Sequence, residues 1–134
     1  MIVPNLHFNG QAGPALKFYE EVFGSKASRV VTYGEFDAAS GSMPEEYKNW
    51  IIYSQLELFA GNNLVLNDAQ PGANMPIGEN FSIIIQLPEE QRLKELFAKL
   101  EVGGTVVMPL GPTPFSELYG MLTDKFGTVW QFTI

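Results

Sequence analysis

The 134-residue chain contains no cysteine, which excludes disulfides, thiolate metal sites and cysteine nucleophiles together. Its one histidine is His7, so a multi-histidine metal centre is out of reach and a Ser-His-Asp triad would have to rest on that single imidazole. Basic residues are scarce: eight stand against fifteen acidic ones, for a net charge of -7 shared almost evenly between the two halves. Such a surface repels phosphate backbones and anionic lipid, so neither nucleic acid nor a membrane is expected as a partner. No apolar run approaches the roughly 18 residues of a membrane span. The opening "MIVPNLHFNG" lacks a basic stretch followed by an apolar run and a small-residue cleavage site, which points to the cytoplasm. The "NFS" at Asn80 matches a glycosylation sequon but has no secretory context. Also missing are GxGxxG, GxxxxGK[ST], HExxH and GxSxG, the usual support for nucleotide-binding and hydrolase readings.

What is present is a pattern of strands and two helices. "IVPNLHF" is a short apolar segment bounded by Asn9 and Gly10, which suits a strand. In "QAGPALKFYEEVFGSKAS", Ala15, Phe18, Tyr19 and Val22 recur at helical spacing, Pro14 fits a first turn and Gly24 terminates. The strand candidates "ASRVVTY", "WIIYSQLEL" and "NLVLND" follow, the last two joined by a turn at Gly61, Asn62 and Asn63. Between the first two lies "GEFDAASGSMPEEYKN", which has no clear period and is expected to be a long loop. After the connector "AQPGANMPIGE" come the strand "FSIIIQL" and a helix with Leu93, Leu96, Phe97 and Leu100 on one face. The strands "TVVMPL", "ELYGMLT" and "TVWQFTI" complete the chain, the last pair turning at Asp124 to Gly127.

The same order of elements therefore occurs twice. Phe18, Tyr19 and Val22 fall on Leu96, Phe97 and Leu100 at a shift of 78 residues, while Gly61 falls on Gly127 at a shift of 66. The loop from Gly34 to Asn49, present only in the first copy, accounts for the difference. Internal repetition constrains a fold more than any single helix assignment. The expected architecture is α+β: residues 1–134 as one domain of two βαβββ modules, 1–70 and 80–134, joined by a connector over 69–79. Each module would make a curved mixed sheet with a helix on its outer face, and the other faces would enclose a cavity.

Three segments, "FNGQAGPALKFYEEVFG", "GGTVVMPL" and "YGMLTDKFGTVWQF", make the chain resemble the PhnB-like branch of the glyoxalase/bleomycin-resistance/dioxygenase superfamily, also called vicinal oxygen chelate proteins. The resemblance covers essentially the whole chain. It implies paired βαβββ modules, a cavity in each curved sheet and a homodimer. In metal-using members of that superfamily, each module contributes one ligand from its first strand and one from its last. Carried onto this chain, those places are Pro4 and Val65 in the first module, and Ser82 (or Phe81, one register away) and Gln131 in the second. Proline and valine cannot bind a cation, and neutral serine binds one poorly. One amide oxygen does not satisfy a divalent ion, so no metal and no other cofactor is expected. The branch also implies a histidine on the third strand and a tryptophan before the last hairpin, where this chain has Tyr53 and Phe115.

Alternation along the last strand places Gln131 with Val129 and Thr133, away from Trp130 and Phe132, which should pack beneath the helices. Gln131 is then either an amide satisfied by neighbouring strands or a ligand-binding group, and both can hold at once. If Pro4 marks the inner face, His7 lies on the opposite one, packed near the first helix or exposed at the strand's end. Adjacent acids such as Glu20-Glu21, Glu45-Glu46 and Glu89-Glu90 diverge and read as solvated charge. In "TDKFG", Asp124 capping a tight turn accounts for the sequence.

The expected ligand is a flat or apolar small organic molecule. Gln131, Tyr53, Asn67, Ser82, Phe8, Tyr119 and Phe115 are the expected binding residues. No reaction is assigned to them. The alternatives are a metal-dependent lyase, isomerase or dioxygenase using His7, Glu57 or Asp68, and a protein that sequesters a drug or toxin without transforming it. The 34–49 loop is read as a cover over the first cavity or a dimer contact.

Overall fold

A computed structural model describes all 134 residues. The chain forms two compact units, Met1–Met75 and Pro76–Ile134. In the first, β1 (Asn5–Phe8) leads to α1 (Ala12–Phe23), then β2 (Ala27–Thr32), the single turn α2 (Tyr33–Phe36), a 3-10 turn (Glu45–Tyr47), β3 (Ile51–Phe59) and β4 (Asn62–Asp68). The sheet order is β1-β4-β3-β2, with β1 parallel to β4 and the other pairs antiparallel. The second unit repeats this as β5 (Ile83–Gln86), α3 (Glu90–Leu100), β6 (Thr105–Thr113), β7 (Ser116–Thr123) and β8 (Val129–Thr133), in the order β5-β8-β7-β6. The fold class read from the sequence, α+β with twin βαβββ modules, is the observed one.

Both helices follow from spacing. α1 buries Ala12, Ala15, Leu16, Tyr19, Val22 and Phe23 and stops at Gly24, whose φ of 66° suits a residue without a side chain. Phe18, expected on the buried stripe, is only half-buried, and Leu16 takes up part of it. α3 buries the four expected residues, Leu93, Leu96, Phe97 and Leu100. Beneath the helices lie Leu56, Leu64 and Leu66 in the first sheet and Leu122, Trp130 and Phe132 in the second, none more than 1% exposed. Phe97 meets Phe132 edge-on, with centroids 5.0 Å apart. Such pairs add about 0.5–1.5 kcal/mol beyond area burial. Gly120 on β7 leaves no room in this packing: an added Cβ would lie 2.9 Å from Leu110 and 3.0 Å from Phe97.

Two buried carboxylates tie ends of elements together. Asp68 accepts from the backbone N–H of Gly10 (2.8 Å), Ala12 (3.0 Å) and Ile51 (2.9 Å), joining β4 to the start of α1 and to β3. Asp124 accepts from the N–H of Phe126 (2.8 Å) and Thr128 (3.1 Å) and from the Trp130 indole (2.8 Å), so it organises the β7-β8 turn, as the sequence implied, and anchors a core ring as well.

The 34–49 segment is more ordered than a structureless loop. Thr32 accepts from the Glu35 N–H while the Glu35 carboxylate accepts from the Thr32 N–H, a reciprocal cap that starts α2. Its signal was a Thr-x-x-Glu pattern rather than a period, because one turn is too short to show one. No helix in the molecule is long and apolar enough to cross a membrane.

Candidate functional site: the helix-free faces of the two sheets

In a strand, side chains alternate between faces, and partners in register share one. Gln131 pairs with Met121 on β7 and Ile84 on β5, and Thr133 pairs with Tyr119. These side chains occupy the face away from α3, since Trp130 and Phe132 fill the other. On that face the Tyr119 hydroxyl donates to Gln131 Oε1 at 2.6 Å, and Gln131 Nε2 donates to Ser82 Oγ at 2.7 Å. Three expected site residues, on β7, on β8 and just before β5, thus form one hydrogen-bonded chain. The exposed Phe115 packs edge-on against Tyr119, with centroids 5.0 Å apart.

The first sheet holds a related arrangement. Tyr53 and Tyr119 are separated by the same 66 residues as Gly61 and Gly127. The Tyr53 hydroxyl donates to Gln55 Oε1 at 3.1 Å, and Gln55 Nε2 donates to Asn63 Oδ1 at 3.1 Å. Gln55 pairs with Val65 as Met121 pairs with Gln131. The same cross-strand pair thus carries a glutamine in both modules, but on the third strand in one and on the fourth in the other. Sequence reading placed only Gln131, because a residue exchanged between paired strands leaves no periodic trace. Arg29, paired with Gln55, lies with its guanidinium carbon 5.8 Å from the Tyr53 ring centre. Asn67 lies on this face too, and its Oδ1 is buried without a hydrogen-bond partner.

Three placements differ from expectation. Val65 pairs with Asn5, and Gln131 with Ile84; the first-module residue equivalent to Ser82 is therefore Val3, not Pro4. His7 pairs with Asn67, so it lies on the helix-free face rather than opposite it, and it is exposed. Phe8 pairs with Asp68 on the helix side and is 7% exposed, so it is a core residue and leaves the candidate site. The cause is common to all three: β1 is a four-residue strand, and a register error of one residue exchanges its faces.

These placements bear on the ion that the fold family implies. The four positions are Val3, Val65, Ser82 and Gln131, and the one amide oxygen among them accepts the Tyr119 hydroxyl. Asp68 is consumed by three backbone N–H groups, Glu57 accepts from the Gly61 N–H at 2.8 Å, and no three His, Asp or Glu side chains converge. This donor set does not fit a divalent cation.

Twin βαβββ units, each a four-stranded mixed sheet backed by one long helix, define a protein of the glyoxalase/bleomycin-resistance fold; the fosfomycin resistance protein FosX from Listeria monocytogenes shares it, with a TM-score of 0.65 at 10% identity over 99% of this chain and 91% of that one. The model of a family described as 3-demethylubiquinone-9 3-methyltransferase matches residues 1–133. Protein PA1353 from Pseudomonas aeruginosa superposes with a TM-score of 0.86 at 29% identity, covering 99% of this chain and 96% of its own. The PhnB protein from Bacillus cereus gives 0.80 at 28% identity, covering 98% and 97%. The chain belongs to this PhnB-like family.

Proposed function

We propose that this protein binds a flat, oxygen-bearing organic molecule on the helix-free face of its second sheet, without a metal, as a cytoplasmic homodimer. The observation that carries the reading is the Tyr119–Gln131–Ser82 chain. Its two bonds hold the amide in one orientation and leave the Ser82 proton, the second Gln131 N–H and the free lone pairs of Tyr119 and Gln131 for a ligand's oxygens. Ile84, Met121 and Met108 pair across the strands around Gln131 and supply apolar surface for a ring. The family's description names a ubiquinone precursor, whose head group is a ring rimmed with oxygens, and that chemistry suits these groups.

The second copy of the chain is supported by β6. It is the edge strand of its sheet, and Val106, Val107 and Met108 are all exposed along it; unpaired apolar edges of this kind are normally covered.

The test uses 2,3-dimethoxy-5-methylhydroquinone, kept reduced under argon, titrated into labelled protein and followed by amide chemical shifts. Expected are shifts at Ser82, Tyr119 and Gln131, weakened about tenfold or more in Gln131→Leu, since a site built around an amide loses both its bonds and its orientation. Unchanged affinity in that variant, or stoichiometric zinc, nickel, manganese or iron in the purified protein, would sink the reading.

A further inference from the structure

The 34–49 insertion does more than connect two strands. α2 and the 3-10 turn border an open pocket of about 520 Å³ on the first module, within the roughly 300–1,000 Å³ typical of small-molecule sites. Its walls include three aromatic rings, Tyr33, Phe36 and Tyr47, together with Met43 and Ile52. None of Ser82, Tyr119 and Gln131 is among its lining residues, so the pocket does not rest on the reading given above.

Two of the rings are fixed by their surroundings. The Tyr33 hydroxyl donates to the Asp68 carbonyl at 3.0 Å. Burial first, and then the charge of Asp68, push this phenol above its usual pKa, so it stays a donor at neutral pH. Tyr47 packs edge-on against Trp50, with centroids 4.9 Å apart. The third ring, Phe36, is 72% exposed. An aromatic ring left in water on the lining of a largely apolar pocket is surface that a ligand would cover.

One charged side chain lines this pocket, Asp37, and no lysine or arginine does. The Ser40 hydroxyl, the Met43 N–H (2.7 Å) and the Ser42 hydroxyl (3.2 Å) all donate to its carboxylate. These bonds, that of Ser40 foremost, hold the group below the usual aspartate range and therefore ionised at neutral pH. A fixed negative charge thus belongs to the same pocket lining as three electron-rich aromatic rings.

We propose that this pocket binds an organic ammonium ion carrying an apolar body. The rings attract a cation through their quadrupoles, Asp37 supplies the counter-charge, and Met43 and Ile52 accommodate the hydrocarbon. An anion of the same size meets Asp37 and a chain of net charge -7 with no compensating base on the walls.

The probe is benzyltrimethylammonium chloride, titrated into the labelled full chain. Shifts are expected at residues 33–48 and at Gln70 and Pro71, which also line the pocket, while phenylacetate and benzyl alcohol leave those signals in place. Phe36→Leu keeps an apolar side chain but removes the ring, and its exposure makes it safe for folding. Asp37→Asn keeps an acceptor for Met43 but removes the charge. Each should weaken binding about threefold to tenfold. The proposal is overturned if phenylacetate or benzyl alcohol binds as tightly as the ammonium ion, if the shifts fall elsewhere, or if both variants bind like the parent.

Discussion

Asp68 and Glu57 are both carboxylates at strand positions, and only their surroundings tell them apart. Asp68 is 1% exposed and accepts from three backbone N–H groups. Removing a buried acceptor leaves donors with neither protein nor water, at about 1–3 kcal/mol each. Asp68→Ala should therefore lower the unfolding free energy by about 3 kcal/mol or more in urea titration. Glu57→Gln, at an exposed strand position beside the Gly61 turn, should stay within about 0.5 kcal/mol. Gln131 lies between these cases: it is half-buried, and both its partners are side chains that can turn to water. The sequence showed that Gln131 differs from its apolar neighbours. It could not show that Tyr119 and Ser82 are its partners, because they lie 12 and 49 residues away.

The elements differ in how much of their packing was written locally. α1 and α3 announced their buried faces by three- and four-residue spacing, and α1 announced its end by Gly24, so most of the helical packing was legible locally. β1 was not, because four residues carry too little alternation to fix a face. Glycines make the same point by contrast. An added Cβ at Gly13 in α1 would meet nothing from other elements within 4 Å, whereas at Gly120 it would press on Leu110 and Phe97. Gly13→Ala should change stability by less than about 0.5 kcal/mol, because the gain in helix propensity is offset by crowding of the new Cβ against the ring of Pro14. Gly120→Ala should lower it by about 1–3 kcal/mol through overpacking of α3 against β7. Thermal denaturation of the two variants side by side reads the difference.

At the scale of the whole molecule, the proposed homodimer makes its own prediction. Sedimentation should give twice the 14.9 kDa chain mass, and Val107→Glu on exposed β6 should shift the protein toward monomer without unfolding it. A monomer at all concentrations would refute that assembly. By itself the sequence determined the repeat, the α+β class, the helix faces, the turn held by Asp124 and the family, since each is carried by spacing or by contiguous motifs. Tertiary structure alone decided the rest. The face presented by His7 and Phe8, the exchange of a glutamine between paired strands and the pocket under the insertion all depend on which strand lies beside which, and in what register. The physical reason is that hydrogen bonds between strands far apart in the chain set that register, so no local window of sequence contains it.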